Sequence, residues 1–195
     1  MDLSNPLKQH YDQYYSLGGS GRAPEQSEIH NWTHTWKEGS HILEVGCGEG
    51  VDAEALRQHG FRITGIDFSS IAIEKARNLY PEVRFLCEDL SDWTPHRQFG
   101  GILCRALSWY HYQLFGINRC RVDVPMQTKR MASWIEHGGS FLLIIATSLR
   151  GGSRGEGGIH DHTVSDFFNL FTTAGLEPKE VHWKDDLLIM RSIKP

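Results

Sequence analysis

Ile42-Leu43-Glu44-Val45-Gly46-Cys47-Gly48-Glu49-Gly50 is the stretch of the chain that decides the fold. Its apolar part predicts a buried strand, which leads into a turn with glycines spaced G-x-G-x-G before a helical pattern begins at Val51. A second predicted strand ends at Asp67. Glycines lack a Cβ atom and let a ligand approach the backbone, while an acid after the second strand accepts hydrogen bonds from both hydroxyls of a ribose. The pattern therefore predicts an α/β fold with a site for a cofactor that contains adenosine.

The position of the third glycine separates two classes of cofactor. Dinucleotide-binding turns are spaced G-x-G-x-x-G, which would require a glycine where this chain has Val51. Here the third glycine is Gly50, and an acid, Glu44, stands just before the turn. This arrangement resembles motif I of the class I S-adenosylmethionine-dependent methyltransferases, E/D-x-G-x-G-x-G. The resemblance implies that S-adenosyl-L-methionine is the cofactor, with Asp67 on its ribose. It also implies that the methionine end is held by Glu44, Gly46, Cys47, Gly48 and Gly50.

Strand and helix patterns alternate from residue 41 onward, which favours a parallel sheet with helices on both faces. Strands are predicted near 41–46, 62–67, 83–87, 101–104, 141–145, 180–184 and 187–193. Only Asp185 and Asp186 join the last two, so these strands form an antiparallel hairpin. The family resemblance covers residues 41–195. It implies a three-layer α/β sandwich with a seven-strand, mostly parallel sheet in the order 3-2-1-4-5-7-6 and an antiparallel strand 7.

Several helix boundaries have local signals. Ser69 or Ser70 is expected to cap a helix after the second strand, and Thr163 with Asp166 forms a pattern like a capping box. A longer helix that begins near Pro125 is expected to continue to the glycines at 138–139.

Residues 1–40 lie outside the alternating pattern. Their aromatic and apolar positions predict two helices joined by a glycine-rich segment at 17–24. These helices either cover the sheet or form a cap over the cofactor, and in the second case Arg22 approaches the methionine carboxylate. We expect a single methyltransferase domain over residues 1–195, with a helical cap at 1–40 and a Rossmann-like core at 41–195.

The resemblance extends to the residues that follow later strands. Phe68 comes directly after the ribose acid and is expected to lie against the adenine. Glu88, Asp89 and Leu90 resemble the acidic region in which a carboxylate accepts the adenine amino group, with Asp89 as the candidate. Arg105 follows the fourth strand, at a position that often contacts the cofactor.

Residues 105–112 correspond to motif IV, beside the transferred methyl group. They lack the N/D-P-P-Y/F sequence of enzymes that methylate the exocyclic amines of bases. His111 is a candidate general base because imidazole titrates near neutral pH. His160, which follows the glycine-rich stretch 151–158, is a second candidate for the general base. The H-x-H at 160–162 has no further spaced ligand, so no metal site is predicted.

Composition limits the class of protein further. The 195 residues are 39% hydrophobic and 23% charged, which is ordinary for a globular chain, and the net charge of −4 argues against a nucleic-acid partner. No apolar run approaches the roughly 20 residues of a membrane span, and the first residues lack a signal pattern. Cys47, Cys87 and Cys104 have no metal-like spacing and are expected to be buried free thiols. We expect a cytoplasmic monomer or homodimer.

The sequence thus predicts a methyltransferase that acts on a small molecule, at oxygen or nitrogen in preference to carbon. Two alternatives remain open. The chain could bind the cofactor without catalysis, as a regulatory or partner protein. It could also be an NAD-dependent oxidoreductase, since that class shares the ribose acid and the glycine turn.

Overall fold

Seven strands form one sheet among the residues described by the computed structural model, which are 6–112, 122–146, 163–185 and 187–195. The strands are β1 (His41–Val45), β2 (Arg62–Asp67), β3 (Arg84–Cys87), β4 (Phe99–Arg105), β5 (Ile135–Ala146), β6 (Glu177–Lys184) and β7 (Leu187–Ile193). Their order is β3-β2-β1-β4-β5-β7-β6. Strand β7 runs antiparallel to both β5 and β6, whereas β1, β2 and β3 are parallel neighbours. The predicted strand order and the reversed last strand are confirmed.

Six α-helices accompany the sheet in the described part of the chain. They are α1 (Pro6–Ser16), α2 (Val51–Gln58), α3 (Ser70–Leu79), α4 (Ser108–Tyr112), α5 (Val124–Ser133) and α6 (Val164–Thr173). Two short 3₁₀ helices occupy Pro24–Gln26 and Glu28–Thr35. Among these helices, none combines the length and the apolar character that crossing a membrane requires.

The chain divides into two compact units, Met1–Thr94 and Pro95–Pro195. In the first unit, β1 and β2 are almost entirely buried, and Leu43 and Ile66 are at most 1% exposed. Gly65 in β2 leaves room for the ring of Phe85 and the Sγ of Cys47, each within 3 Å of where a Cβ would stand. The small residue in β2 therefore lets β3 and the glycine loop pack closely against it.

The second unit is built on the apolar strand β5. Residues 141–145 of β5 are at most 1% exposed, as expected for a strand covered on both faces. Phe171 of α6 meets Phe141 edge to face, with ring centroids 4.8 Å apart. Helix α6 begins with the predicted capping box, in which the Thr163 hydroxyl accepts a hydrogen bond from Asp166 N–H and the Asp166 carboxylate accepts one from Thr163 N–H.

Two predicted element boundaries are wrong. The helix that begins near Pro125 ends at Ser133, and β5 starts at Ile135, because the buried Ile135 pairs with Phe99 of β4 and the glycines at 138–139 cannot extend a helix. The second N-terminal helix is present as two 3₁₀ segments, the second capped by Ser27. The expectation that Cys87 is buried is wrong, because this residue ends the edge strand β3 and is exposed, whereas Cys47 and Cys104 are buried.

Candidate functional site

The glycine turn lies between β1 and α2 and is anchored to β2. Gly46 N–H and Cys47 N–H both donate to the carbonyl of Ile66, at 2.8 and 3.1 Å. Gly48 and Gly50 have φ of +52° and +78°, in the left-handed region that other residues rarely adopt. Glu44, 2% exposed, precedes the turn in β1.

Asp67 links the end of β2 to this turn. Its carboxylate accepts hydrogen bonds from the N–H of Gly48 at 2.9 Å and from the N–H of Ser69 at 2.8 Å. The residue is 7% exposed, and this burial raises the pKa of Asp67 to about 6, although the two backbone donors favour its charged form. A carboxylate is thus held beside the glycine turn in a nearly dry environment.

Helix α1 supplies an aromatic side chain to the same place. The hydroxyl of Tyr15 lies 2.5 Å from where a Cβ on Gly48 would stand, so the glycine is required for this approach. Burial, and then the charge of Asp67, raises the pKa of Tyr15 well above its usual range. The Tyr15 hydroxyl therefore stays protonated at neutral pH.

Two further contacts join α1 to the region after β2. Tyr11 meets Phe68 edge to face, with ring centroids 5.8 Å apart. The hydroxyl of Ser69 donates to Asp12 at 2.6 Å while it accepts the cap hydrogen bond from Ala72 N–H, so the predicted cap of α3 is confirmed. One serine hydroxyl thus serves both the start of α3 and the attachment of α1.

Glu49, which the sequence did not single out, is a junction within the glycine turn. Its Oε2 accepts hydrogen bonds from the N–H and the hydroxyl of Ser20, at 3.0 and 3.2 Å. Its Oε1 accepts one from Lys75 Nζ at 3.1 Å, and Lys75 also donates to the carbonyl of Tyr15 at 2.5 Å. The glycine-rich linker after α1 is therefore attached to the glycine turn, although the two segments are distant in sequence.

Arg22 lies near the start of α2. Its guanidinium donates to Asp52 Oδ1 at 2.6 Å, and the hydroxyl of Ser27 donates to the same oxygen. Asp52 is the second residue of α2 and is 5% exposed. The structure brings Arg22 to the helix that follows the glycine turn, in an ion pair that the sequence did not predict.

The acidic segment after β3 forms a tight turn. Asp89 Oδ1 accepts hydrogen bonds from the N–H and the hydroxyl of Ser91, at 2.9 and 2.7 Å. Glu88 N–H donates to the carbonyl of Asp67 at 3.0 Å, which ties this segment to the end of β2. Glu88 and Asp89 are exposed, while Leu90 is buried.

In the second unit, Arg105 ends β4 and is half-buried. Ala106 follows with φ of +52°, an unusual value for a residue with a Cβ. His111 lies in α4, but its side chain is outside the described part of the structure, and His160 lies outside the described residues. No group of three or more His, Cys, Asp or Glu residues is placed to hold a metal ion within 6–112, 122–146, 163–185 and 187–195.

A family model described as a methyltransferase domain matches residues 42–139, about half of the chain. This range includes the glycine turn, Asp67 and Arg105. The strand order of the sheet agrees with this match, since it is the order that the family resemblance implied.

Three similar proteins illustrate the relationship. The ubiquinone biosynthesis O-methyltransferase of Coxiella burnetii is 37% identical over 36% of this chain and 32% of its own length. The trans-aconitate 2-methyltransferase of Escherichia coli is 36% identical over 38% of this chain and 32% of its own length. These matches thus span about a third of the curated relatives.

The crystal structure of a TehB-like S-adenosylmethionine-dependent methyltransferase from Corynebacterium glutamicum has the same fold, with a TM-score of 0.66 and 18% identity over 97% of this chain and 96% of that one. From the family match and the shared fold, we conclude that the chain belongs to the methyltransferase domain family, within the class I S-adenosylmethionine-dependent methyltransferases that motif I resembles.

Proposed function

We propose that the protein transfers the methyl group of S-adenosyl-L-methionine to a small-molecule acceptor, at oxygen or nitrogen in preference to carbon. The observation that carries this proposal is the buried carboxylate of Asp67, which is joined by a hydrogen bond to Gly48 in the glycine turn. Burial of a carboxylate is unfavourable unless hydrogen-bond donors stabilise its charge. The two hydroxyls of a ribose are suitable donors.

The residues around the turn fit the cofactor. Asp67 would hold the ribose. The methionine end would be held by Glu44, Gly46, Cys47, Gly48 and Gly50. Arg22 would bind the methionine carboxylate, since a guanidinium has five donors and its pairing with Asp52 uses only part of them. Phe68, Glu88, Asp89 and Leu90 would surround the adenine, and Arg105 would add a contact from β4.

When bound, the cofactor supplies a methyl group activated by the neighbouring sulfonium charge. The protein's part is to align the acceptor and to exclude water. The half-buried Tyr15 supports a cap in this role, because its hydroxyl lies close to Gly48 in the glycine turn. His111 or His160 would take a proton from the acceptor.

The first experiment compares ligands by calorimetry. S-adenosylhomocysteine is expected to bind and NAD is not, and tight binding of NAD alone would overturn the proposal in favour of an oxidoreductase. Asp67→Ala is expected to weaken S-adenosylhomocysteine binding by roughly 1–3 kcal/mol, the scale of hydrogen bonds to a charged group. Unchanged affinity would refute the ribose assignment.

The second experiment tests catalysis with pooled metabolites and labelled cofactor. Methyl transfer to a small molecule is expected, with a loss of turnover in His111→Ala or His160→Ala but not a loss of cofactor binding. Binding without transfer to any acceptor would favour a regulatory or partner protein. We also propose a reducing cytoplasmic location, consistent with the free thiols of Cys47, Cys87 and Cys104, and a monomer or homodimer without a nucleic-acid partner.

A further inference from the structure

Glu49 connects three segments that are distant in sequence. Its side chain is 9% exposed. Its two carboxylate oxygens have different partners: Oε2 accepts a hydrogen bond from Ser20 after α1, and Oε1 accepts one from Lys75 in α3. Lys75 then reaches the carbonyl of Tyr15 at the end of α1. Removal of this one carboxylate would release Ser20 directly, and it would take away the charge that holds Lys75 beside Tyr15.

Gly19 shows how closely this segment approaches the carboxylate. A Cβ on Gly19 would stand 2.4 Å from both carboxylate oxygens of Glu49, a distance that side chains do not tolerate. The obstructing atoms are the far end of a flexible side chain, so the side chain of Glu49 would yield. In yielding, it would leave Ser20 and Lys75.

Residues 15–20 lie beside the glycine turn, where the proposed cofactor would bind. Tyr15 begins the stretch held by Glu49 and Lys75, and its hydroxyl fills the space above Gly48. Helix α1 is otherwise attached through Asp12 and Tyr11, on the side of Ser69 and Phe68. Glu49 therefore fastens residues 15–20, and this attachment is separate from the one that α1 makes at the start of α3.

We propose that Glu49 is a positioning residue that fastens residues 15–20 over the glycine turn, and that release of this fastening sets the rates at which the cofactor enters and leaves. The inference rests on the proposed binding of S-adenosylmethionine. It differs from a direct cofactor contact, because Glu49 acts through Ser20, Lys75 and Tyr15.

The test uses two glycines with matched backbones. Gly19 and Gly21 have φ of +66° and +60°, so alanine imposes similar backbone strain at each, but a Cβ on Gly21 meets nothing within 4 Å. Gly21→Ala therefore measures strain alone, and Gly19→Ala measures strain together with displacement of Glu49. Glu49→Ala and Lys75→Met remove the fastening directly, and Glu49→Gln keeps an acceptor for Ser20 without the charge for Lys75.

Two readouts are measured on the full chain. In the ligand-free protein, amide hydrogen exchange of residues 15–20 is expected to be about ten- to a hundredfold faster in Gly19→Ala and Glu49→Ala than in Gly21→Ala, with a smaller change in Glu49→Gln. Stopped-flow dissociation of S-adenosylhomocysteine is expected to accelerate by a similar factor. The midpoint of urea unfolding should differ little between Gly19→Ala and Gly21→Ala, which distinguishes local release from general destabilisation.

A double variant makes the test sharper. In a Glu49→Ala background, Gly19→Ala has nothing to displace, so its effect should fall to that of Gly21→Ala. If wild type binds S-adenosylhomocysteine but exchange or dissociation is the same in all variants, the fastening is overturned and the proposed function stands. If wild type does not bind S-adenosylhomocysteine, the proposed function fails, and with it the assigned role of Glu49 in cofactor release.

Discussion

Two glycines of the same turn are required for different physical reasons. Gly48 makes room for the Tyr15 hydroxyl, whereas a Cβ on Gly50 would stand 2.4 Å from the ring of Phe85. Gly50 is also the N-cap of α2 and has a left-handed conformation. The third glycine of the motif therefore has a packing role in addition to any role toward a ligand.

Gly50→Ala is expected to destabilise the protein more than Gly60→Ala. Both glycines have left-handed φ, so both substitutions introduce backbone strain of about 1–2 kcal/mol, but a Cβ on Gly60 meets nothing within 4 Å. At Gly50 the overlap with Phe85 adds a cost of about 1–3 kcal/mol. Urea unfolding of both variants measures the difference, and equal losses would show that Phe85 does not constrain this position.

Asp67 should make stability fall as the pH rises from about 4 to 6. The pKa of its carboxyl is raised from 3.8 to about 6, chiefly because burial disfavours the charged form. Below about pH 4 both the folded and the unfolded states hold the proton, and above about pH 6 ionisation in the folded state costs roughly 3 kcal/mol. Asp67→Asn removes this cost. The free energy of unfolding of wild type, relative to Asp67→Asn, should therefore fall across this window.

Unfolding curves of wild type and Asp67→Asn over this range of pH provide the measurement. Asp92→Asn, at an exposed position after β3, controls for the general effect of losing a negative charge. A constant difference between wild type and Asp67→Asn from about pH 4 to 7 would contradict the raised pKa of Asp67.

At the scale of elements, two helix caps differ in the number of helices that they stabilise. Thr163 caps α6 at an exposed site, and within the described part of the chain its hydroxyl bonds to Asp166 of the capping box. Ser69 is completely buried, and its hydroxyl also donates to Asp12 in α1. Loss of the Ser69 hydroxyl therefore affects two helices.

Ser69→Ala is expected to lower the free energy of unfolding by about 2–3 kcal/mol, against about 1 kcal/mol for Thr163→Ala. The larger value includes the hydrogen bond from the Ser69 hydroxyl to the partly exposed carboxylate of Asp12, which keeps its ion pair with Lys8. Chemical denaturation of both variants tests this order. Thr163→Ala at least as costly as Ser69→Ala would show that the bond to Asp12 contributes little.

The strands were predictable because an apolar run that is bounded by turn residues indicates a buried strand, as in residues 141–145. The start of β5 was not, because Ile135 is placed by pairing with Phe99, which no local pattern records. The site divides in the same way. Asp67 and the turn glycines follow from spacing, whereas Glu49 and Lys75 are functional candidates only because residues 15–20 fold back onto them.

At the scale of the whole molecule, cofactor binding should stabilise the folded chain. A ligand that binds only the folded state at a hundred times its dissociation constant adds about 2.7 kcal/mol. S-adenosylhomocysteine is expected to raise the melting temperature of wild type, and much less that of Asp67→Ala at the same concentration. Calorimetric scans give this comparison, and an equal rise in both proteins would place the ligand elsewhere.

The pairing of β5 with β7 has a consequence for protein synthesis. The apolar residues 141–145 lie between β4 and β7, yet β7 is translated only after residues 147–186. Until then the nascent chain presents β5 as a bare apolar edge, the kind of edge on which chains aggregate. We therefore expect substitutions in β7 to reduce the yield of soluble protein from the ribosome more than they alter the chemistry of the molecules that complete folding.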